Sequence, residues 1–298
     1  MAIHNPEVEG NILREVRPAD SKIVPLDSSL LDLSDEEGEF LKWAISPDES
    51  VVKEMILRTQ ADELFPYPCI QLFHFVSLKM MRNAVYQKVL EVGKTGETVF
   101  LDIGCCMGTD LRKLVYDGYP VSRVLGCDLR PEFITAGYDL YQDKASSKIH
   151  FFASDVFDIP VNAPERSIDI PLANVNHLSD LTNKITHLYS GALYHLFDEA
   201  TQYAIAVRMA TLIRRTTGSV IFGRHQGLEP EGMIADAMAR VRYGHSPASW
   251  KRLWHRVFIE LEGIQFAEER VKIDAEFAES VQYGNMNARM MYWSVSIL

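Results

Sequence analysis

The chain has 298 residues, 47% of them hydrophobic, and a formal net charge of −11. That length leaves room for one large or two small domains around a full core. The acidic balance disfavours nucleic acid, which rewards basic surfaces, and no apolar run approaches the roughly 20 residues of a membrane span, so a small-molecule substrate fits better.

Residues 1–33 are polar and contain proline, and read as an extended N-terminal arm. They lack a basic stretch followed by an apolar one, so no secretory signal is expected. The four cysteines, Cys69, Cys105, Cys106 and Cys127, show no C-x-x-C spacing. Reduced thiols in a cytoplasmic protein, with no bound metal, are the expectation. Ser34 followed by Glu37 is a capping box that opens a helix, with Phe40, Leu41, Trp43 and Ala44 as its apolar stripe. A second helical pattern runs from about Val51 to Leu64. Phe65-Pro66-Tyr67-Pro68 must end it, because each proline removes a donor and restricts its neighbour. A third helix is expected over about Asn83–Glu91. Residues 34–92 read as a helical cap in which Tyr67, Phe73, Phe75, Met80 and Met81 supply an apolar lid. Tyr67 and Phe73 are expected against substrate, and ordinary core packing is the competing use of these side chains.

Residues 93–298 alternate strands and helices. The first strand, about Thr98–Ile103, runs into Asp102-Ile103-Gly104-Cys105-Cys106-Met107-Gly108 and then a helical pattern. The second, about Arg123–Asp128, ends in an acid 20 residues past Gly108. Strand, glycine turn, helix, strand, acid is the order of a nucleotide-type site in an open α/β sheet. A dinucleotide turn starting at Gly104 needs glycine at 106 and 109, and the chain has Cys106 and Thr109. Asp102 at the strand end would also repel phosphate, whereas it suits an ammonium group. S-adenosylmethionine carries an amino-acid end, a ribose and an adenine without phosphate, and is the cofactor expected here. Gly104, Cys105 and Gly108 would let the backbone approach the amino-acid end, with the next helix N-terminus facing its carboxylate. Asp128 would accept from both ribose hydroxyls, with Leu129 beside it, or cap the helix opened by Pro131.

A helix over Pro131–Tyr141 and a strand over Ile149–Ala153 follow. Asp155 is placed to accept from the adenine amino group, with Val156 as an apolar flank; a solvated turn aspartate is the alternative. Residues 158–183 form an irregular insertion. A fourth strand covers about Ile185–Tyr189, and Tyr189 ends it beside the transferred methyl. A long helix is expected from Leu193 to Leu212, then a strand at Ser219–Phe222 and helices at about Glu231–Arg242 and Ser246–Phe258. Met291, Trp293, Val295 and Ile297 alternate as a final strand, with Gln265–Ile273 as its antiparallel partner. The fold class is therefore α/β, a Rossmann-like class I methyltransferase sheet with helices on both faces, a C-terminal antiparallel hairpin and an N-terminal helical lid. His195 and His225 lie near strand ends that open toward the substrate side, and Arg224 is able to hold a carboxylate. Packed core histidines and a surface arginine are the plainer readings. Closed two-fold dimers are the commonest assembly, so homodimerisation through the N-terminal helices is expected on that ground alone.

Phe65-Pro66-Tyr67-Pro68-Cys69-Ile70, the glycine loop, Gly191 to Glu199, Gln202 to Ala206 and Ile221 to Gly227 together carry a resemblance. From about Ser34 onward the chain resembles fungal S-adenosylmethionine-dependent methyltransferases of secondary-metabolite clusters. It is most similar to the group that methylates meroterpenoid intermediates, prenylated aryl acids derived from dimethylorsellinate. The resemblance implies methyl esterification of a carboxyl group on an apolar acid. A carboxylate is ionised at neutral pH and needs no base, whereas a phenol acceptor would need one, with His195 or His225 in that role. A methyltransferase-like partner protein without turnover is the reading from another class. The chain lacks the Asn/Asp-Pro-Pro-aromatic segment of nitrogen methylators after the fourth strand.

Overall fold

The computed structural model describes residues 26–61, 68–161, 170–234, 241–278 and 289–298. Its centre is a seven-stranded sheet. The strands in chain order are β1 (Phe100–Ile103), β2 (Val124–Asp128), β3 (His150–Ala153), β4 (His187–Gly191), β5 (Val220–Gly227), β8 (Val271–Phe277) and β9 (Arg289–Ile297). A separate antiparallel pair, β6 (Gly232–Ile234) and β7 (Arg242–Gly244), lies between β5 and β8 in sequence. The sheet order is β3-β2-β1-β4-β5-β9-β8. β1 to β5 pair in parallel, and β9 runs antiparallel between β5 and β8. Five parallel strands closed by an inserted antiparallel hairpin are the class I methyltransferase topology expected from the sequence.

The helices are α1 (Asp35–Ala44), α2 (Glu49–Ala61), α3 (Tyr86–Gly93), α4 (Thr109–Tyr116), α5 (Pro131–Tyr141), α6 (Glu199–Leu212), α7 (Pro247–Glu262) and α8 (Ile264–Arg270), with a single turn at Pro68–Gln71. The capping box of α1 forms as read: Ser34 N and Oγ donate to Glu37 Oε2, and Glu37 N donates to Ser34 Oγ. α5 opens with Pro131 in its first turn and α7 with Pro247 after the Ser246 cap. One sheet face packs under α6 and α7 around Ile205, Trp250, Trp254 and Trp293. The other gathers Phe100, Phe222, Tyr86, Leu111 and Tyr119. The N-terminal helices share a third cluster with the body of the fold: Phe40, Leu41, Ile56 and Phe73 pack with Met107, Phe133 and Leu140.

Four sequence expectations are corrected. The segment read as a helix over Glu231–Arg242 holds β6 and β7 at its ends, while 235–240 lie outside the described residues. Arg242 explains part of this, since its Nε donates to the His195 carbonyl and its Nη2 to Gln226 Oε1, tying it to the end of β5. The antiparallel partner of β9 begins at Val271, not Gln265, because α8 fills Ile264–Arg270. The fourth strand runs two residues later than read, to Gly191. The helix expected from Leu193 starts at Glu199, where Asp198 Oδ1 accepts from Thr201 N, and Tyr194–Leu196 is a 3-10 turn. No helix among the described residues is long and apolar enough to cross a membrane.

Candidate functional site

The turn after β1 is stitched to the end of β2. Gly104 N and Cys105 N both donate to the Cys127 carbonyl at 2.8 and 3.0 Å, and Gly108 N closes the turn on the Cys105 carbonyl at 2.8 Å. Gly104 and Gly108 have φ of +81° and +70°. At Gly108 a Cβ would also meet the Phe151 ring at 2.6 Å, so both backbone and space demand glycine. Cys106 adopts φ +52° with a side chain, a sparsely populated conformation that the surroundings must enforce. The enforcing group is Asp128, whose Oδ2 accepts from Cys106 N at 2.8 Å and whose Oδ1 accepts from Arg130 N at 3.0 Å. Asp128 is not the cap of α5: the N-cap residue is Arg130, without a side-chain cap, and Asp128 binds its backbone N–H from the turn before the helix.

Behind the turn, Arg112 pairs with both oxygens of Asp143 at 2.7 and 2.9 Å and donates to the Met107 carbonyl at 2.8 Å. Gly137 of α5 approaches the same peptide so closely that a Cβ would lie 2.4 Å from Met107 O. The loop is therefore braced by two helices as well as by β2.

Asp102, Tyr189 and Phe222 are register partners across β1, β4 and β5, so their side chains share one sheet face. Asp102 is 3% exposed and its Oδ1 has no hydrogen-bond partner. Burial, with Asp110 and Asp128 adding like charge, pushes its carboxyl well above the usual range. An isolated buried carboxyl suits a cationic ligand, and the amino-acid ammonium of S-adenosylmethionine is one. The acid-and-glycine turn fits that cofactor better than a pyrophosphate. Tyr189 is buried with an unpartnered hydroxyl. Leu129 is 36% exposed beside Asp128. Asp155 Oδ1 accepts from Phe157 N at 2.9 Å, and Val156 is buried in the core under that turn.

Arg224 pairs in register with Gly191, two residues beyond Phe222 on the same face. Two strand spacings, roughly 10 Å, separate the rows of Asp102 and Arg224. Arg224 is 6% exposed and its Nε has no hydrogen-bond partner. Burial raises the Asp110 carboxyl and Arg224 offsets part of that rise, and Arg224 adds to the burial that lowers the basicity of His74. The same face thus carries a carboxyl group without a counter-charge at one end and an incompletely partnered cation at the other.

His225 points the opposite way. It is fully buried against Trp250, Tyr194 and Trp293, and its Nδ1 accepts from Trp293 Nε1 at 3.0 Å. Burial and the neighbouring His245 hold it neutral. His195 lies in the 3-10 turn after β4, not one turn into a helix. Phe73 is 3% exposed at φ +55° and packs in the N-terminal cluster. Tyr67 lies outside the described residues.

Three residues that sequence reading did not single out brace the site. Asp110 Oδ1 accepts from Lys79 N at 2.9 Å and Met80 N at 3.0 Å, fastening the N-terminal segment over the start of α4. Asn83 Nδ2 donates to the carbonyls of Gly223 and Trp293 at 3.0 and 3.2 Å, directly before Arg224. His74 is pushed down to about 3 by burial, Lys79 and Arg224, and stays neutral beside them. An acid in the first turn after the glycine loop was the available signal for Asp110; the other two carried none. Among the described residues no group of three His, Cys, Asp or Glu side chains is placed to hold a metal.

No protein-family model matches the chain. It is 35% identical over 216 residues to the O-methyltransferase phiE of a fungal species, covering 72% of this chain and 67% of phiE. It is 35% identical over 213 residues to the methyltransferase adrK of Penicillium roqueforti, 71% of each chain. The Asnovolin E/Chermesin D methyltransferase nvfJ of Aspergillus novofumigatus is 29% identical over 221 residues, 74% of each chain. Among solved structures, the chain is similar to Haemonchus contortus phosphoethanolamine N-methyltransferase 2, with a TM-score of 0.47, 10% identity, and 83% of this chain and 60% of that one covered. The complex of LepI with S-adenosylmethionine gives a TM-score of 0.45 at 15% identity, over 78% and 53%.

Proposed function

The chain belongs to the family of fungal S-adenosylmethionine-dependent methyltransferases that includes phiE and adrK, and from that premise we propose that it methylates a carboxyl oxygen of an apolar polyketide–terpenoid acid. The observation that carries the acceptor is Arg224. A guanidinium buried to 6% exposure with an unpartnered Nε is costly unless an anion joins it. A substrate carboxylate supplies that anion in bidentate geometry.

When bound, S-adenosylmethionine supplies a sulfonium methyl group. Asp102 and the backbone of Gly104, Cys105 and Gly108 hold its amino-acid end. Asp128 takes the ribose hydroxyls, and Leu129, Asp155 and Val156 border the adenine. Tyr189 stands between the cofactor row and Arg224. Arg224 orients the carboxylate, and the segment carrying Phe73, His74, Lys79 and Met80 keeps water from the transfer. The acid arrives ionised, so no side chain need take a proton. His225, enclosed by rings on the other sheet face, supports this reading over phenol methylation.

The test is methyl transfer from labelled cofactor to apolar aryl acids and to the matching phenols. The expected product forms only from the acids and releases methanol in mild alkali. Arg224→Met should lower kcat/KM by about 10²-fold or more while the cofactor still binds, the scale of a lost charge-assisted pair. An alkali-stable methyl on the phenol would overturn the ester reading.

A further inference from the structure

Three carboxyl groups converge on the glycine loop, and they are treated unequally. Asp110 accepts two backbone N–H groups, from Lys79 and Met80. Asp128 accepts two, from Cys106 and Arg130. Asp102 lies deepest in the sheet at 3% exposure, and its Oδ1 meets no donor. The charged and titratable groups facing it are Asp110 from α4, Asp128 from β2, Cys105 from the loop, Cys127 from β2 and Tyr189 from β4. None of these is a cation. The two buried cations of α4 are committed elsewhere, Arg112 to Asp143 and the Met107 carbonyl and Lys113 to Asp117. A carboxylate in such a place has neither solvent nor a counter-charge, so the neutral acid is its stable form.

We propose that Asp102 is a protonated acid in the cofactor-free protein and gives its proton to solvent as the ammonium of the cofactor's amino-acid end arrives. The balance is simple: Asp102–COOH becomes Asp102–COO⁻, one proton passes to buffer, and the ammonium keeps its own protons. Binding of the amino-acid end is thereby coupled to pH. Where Asp102 is protonated beforehand, affinity rises as pH rises, because the bound state holds fewer protons. The ammonium is common to the cofactor and its by-product S-adenosylhomocysteine, so both carry the coupling. A ligand with the adenosine and thioether but no amino-acid end does not.

Titration calorimetry of the full chain near pH 6.5, in buffers of differing ionisation enthalpy, counts the protons. S-adenosylhomocysteine should release close to one proton per site, and 5′-methylthioadenosine close to none, by linkage. Asp102→Asn should abolish the release with S-adenosylhomocysteine while circular dichroism stays native. No release from the wild-type protein, equal release with both ligands, or release that persists in a folded Asp102→Asn would each overturn the proposal. If Asp102→Asn does not fold, the contrast between the two ligands on wild-type protein decides alone. None of these readings depends on the methyl acceptor, so failure here leaves the ester reading untouched, and the reverse holds too.

Discussion

Each oxygen of Asp128 accepts one backbone N–H, from Cys106 and from Arg130, and each keeps a lone pair for a ribose hydroxyl. Asp128→Ala removes both roles at once. It leaves the Cys106 amide without the acceptor that holds its φ at +52°. Cofactor affinity should fall by about 1–3 kcal/mol, from lost charge-assisted hydrogen bonds and a loosened turn. Calorimetry that found unchanged affinity in a folded variant would remove Asp128 from the cofactor site. His225 offers the opposite test. Its Nδ1 serves Trp293 inside an aromatic cluster, so His225→Gln should lower the melting temperature yet cost less than about tenfold in kcat. A general base would cost about 10²–10⁴-fold, and such a collapse would return the phenol reading to the front. At this scale the sequence was legible where covalent geometry speaks locally. Gly104 and Gly108 are dictated by a turn a few residues long, and Asp128 by its place at the end of the next strand. Asn83 was not legible, because its meaning lies in carbonyls 140 and 210 residues away. Arg224 and His225 were read together as site residues. Only the register of β5 sends their side chains to opposite faces.

Helix α5 reaches the glycine loop through the absence of a side chain. A methyl group at Gly137 would lie 2.4 Å from the Met107 carbonyl, which also accepts from Arg112. Gly137→Ala must therefore push α5 or the loop outward. Overpacking of this kind costs about 1–3 kcal/mol, and here the displaced peptide adjoins Gly108, so melting temperature and cofactor affinity should fall together. Gly38, inside α1, has open space where a Cβ would stand, with no atom within 4 Å, and no positive φ. Gly38→Ala should then stabilise by about 0.5–1 kcal/mol through helix propensity alone. Equal effects of the two substitutions on cofactor affinity would mean that α5 does not brace the loop. Elements with both a start signal and an apolar period, α1, α5 and α7, were legible to within a few residues. The β6–β7 pair was not. Met233 in β6 and Val241 just before β7 are each 62% exposed, so their helix-like spacing reports no buried helix face. The pairing depends instead on Arg242 reaching Gln226 and the His195 carbonyl.

The molecule as a whole is held by a core that contains ionisable groups, and this sets how it answers acid. His187 is the clearest case. It is 1% exposed at the start of β4, edge-on to Phe100 and Tyr119, with Nδ1 3.1 Å from the Tyr119 hydroxyl. Burial drives it down to about 4, from an ordinary value near 6.5. Above 6.5 the imidazole is neutral in both folded and unfolded chains and adds no pH dependence. As pH falls from 6.5 toward 4, the unfolded chain takes up a proton that the fold refuses, so stability is lost across that window. Below about 4 both states are charged and the loss levels off. Asp102 and Asp128, both buried, and the half-buried Asp110 act with the opposite sign, because their carboxyls are raised. Their stability is complete below about 3.8 and is lost as pH rises through their folded values. The pH profile of the wild-type protein therefore mixes both slopes. A difference measurement separates them. His187→Phe keeps the ring packing, and Tyr119 keeps its bond to Thr98 at 2.6 Å. Urea unfolding of both proteins from pH 7 to pH 4 should show wild type losing stability relative to the variant. The expected slope approaches 1.4 kcal/mol per pH unit, about 3 kcal/mol in all, since one proton is at stake. A difference that stays flat with pH would mean that solvent reaches His187, and that this end of the sheet opens without unfolding the core around it.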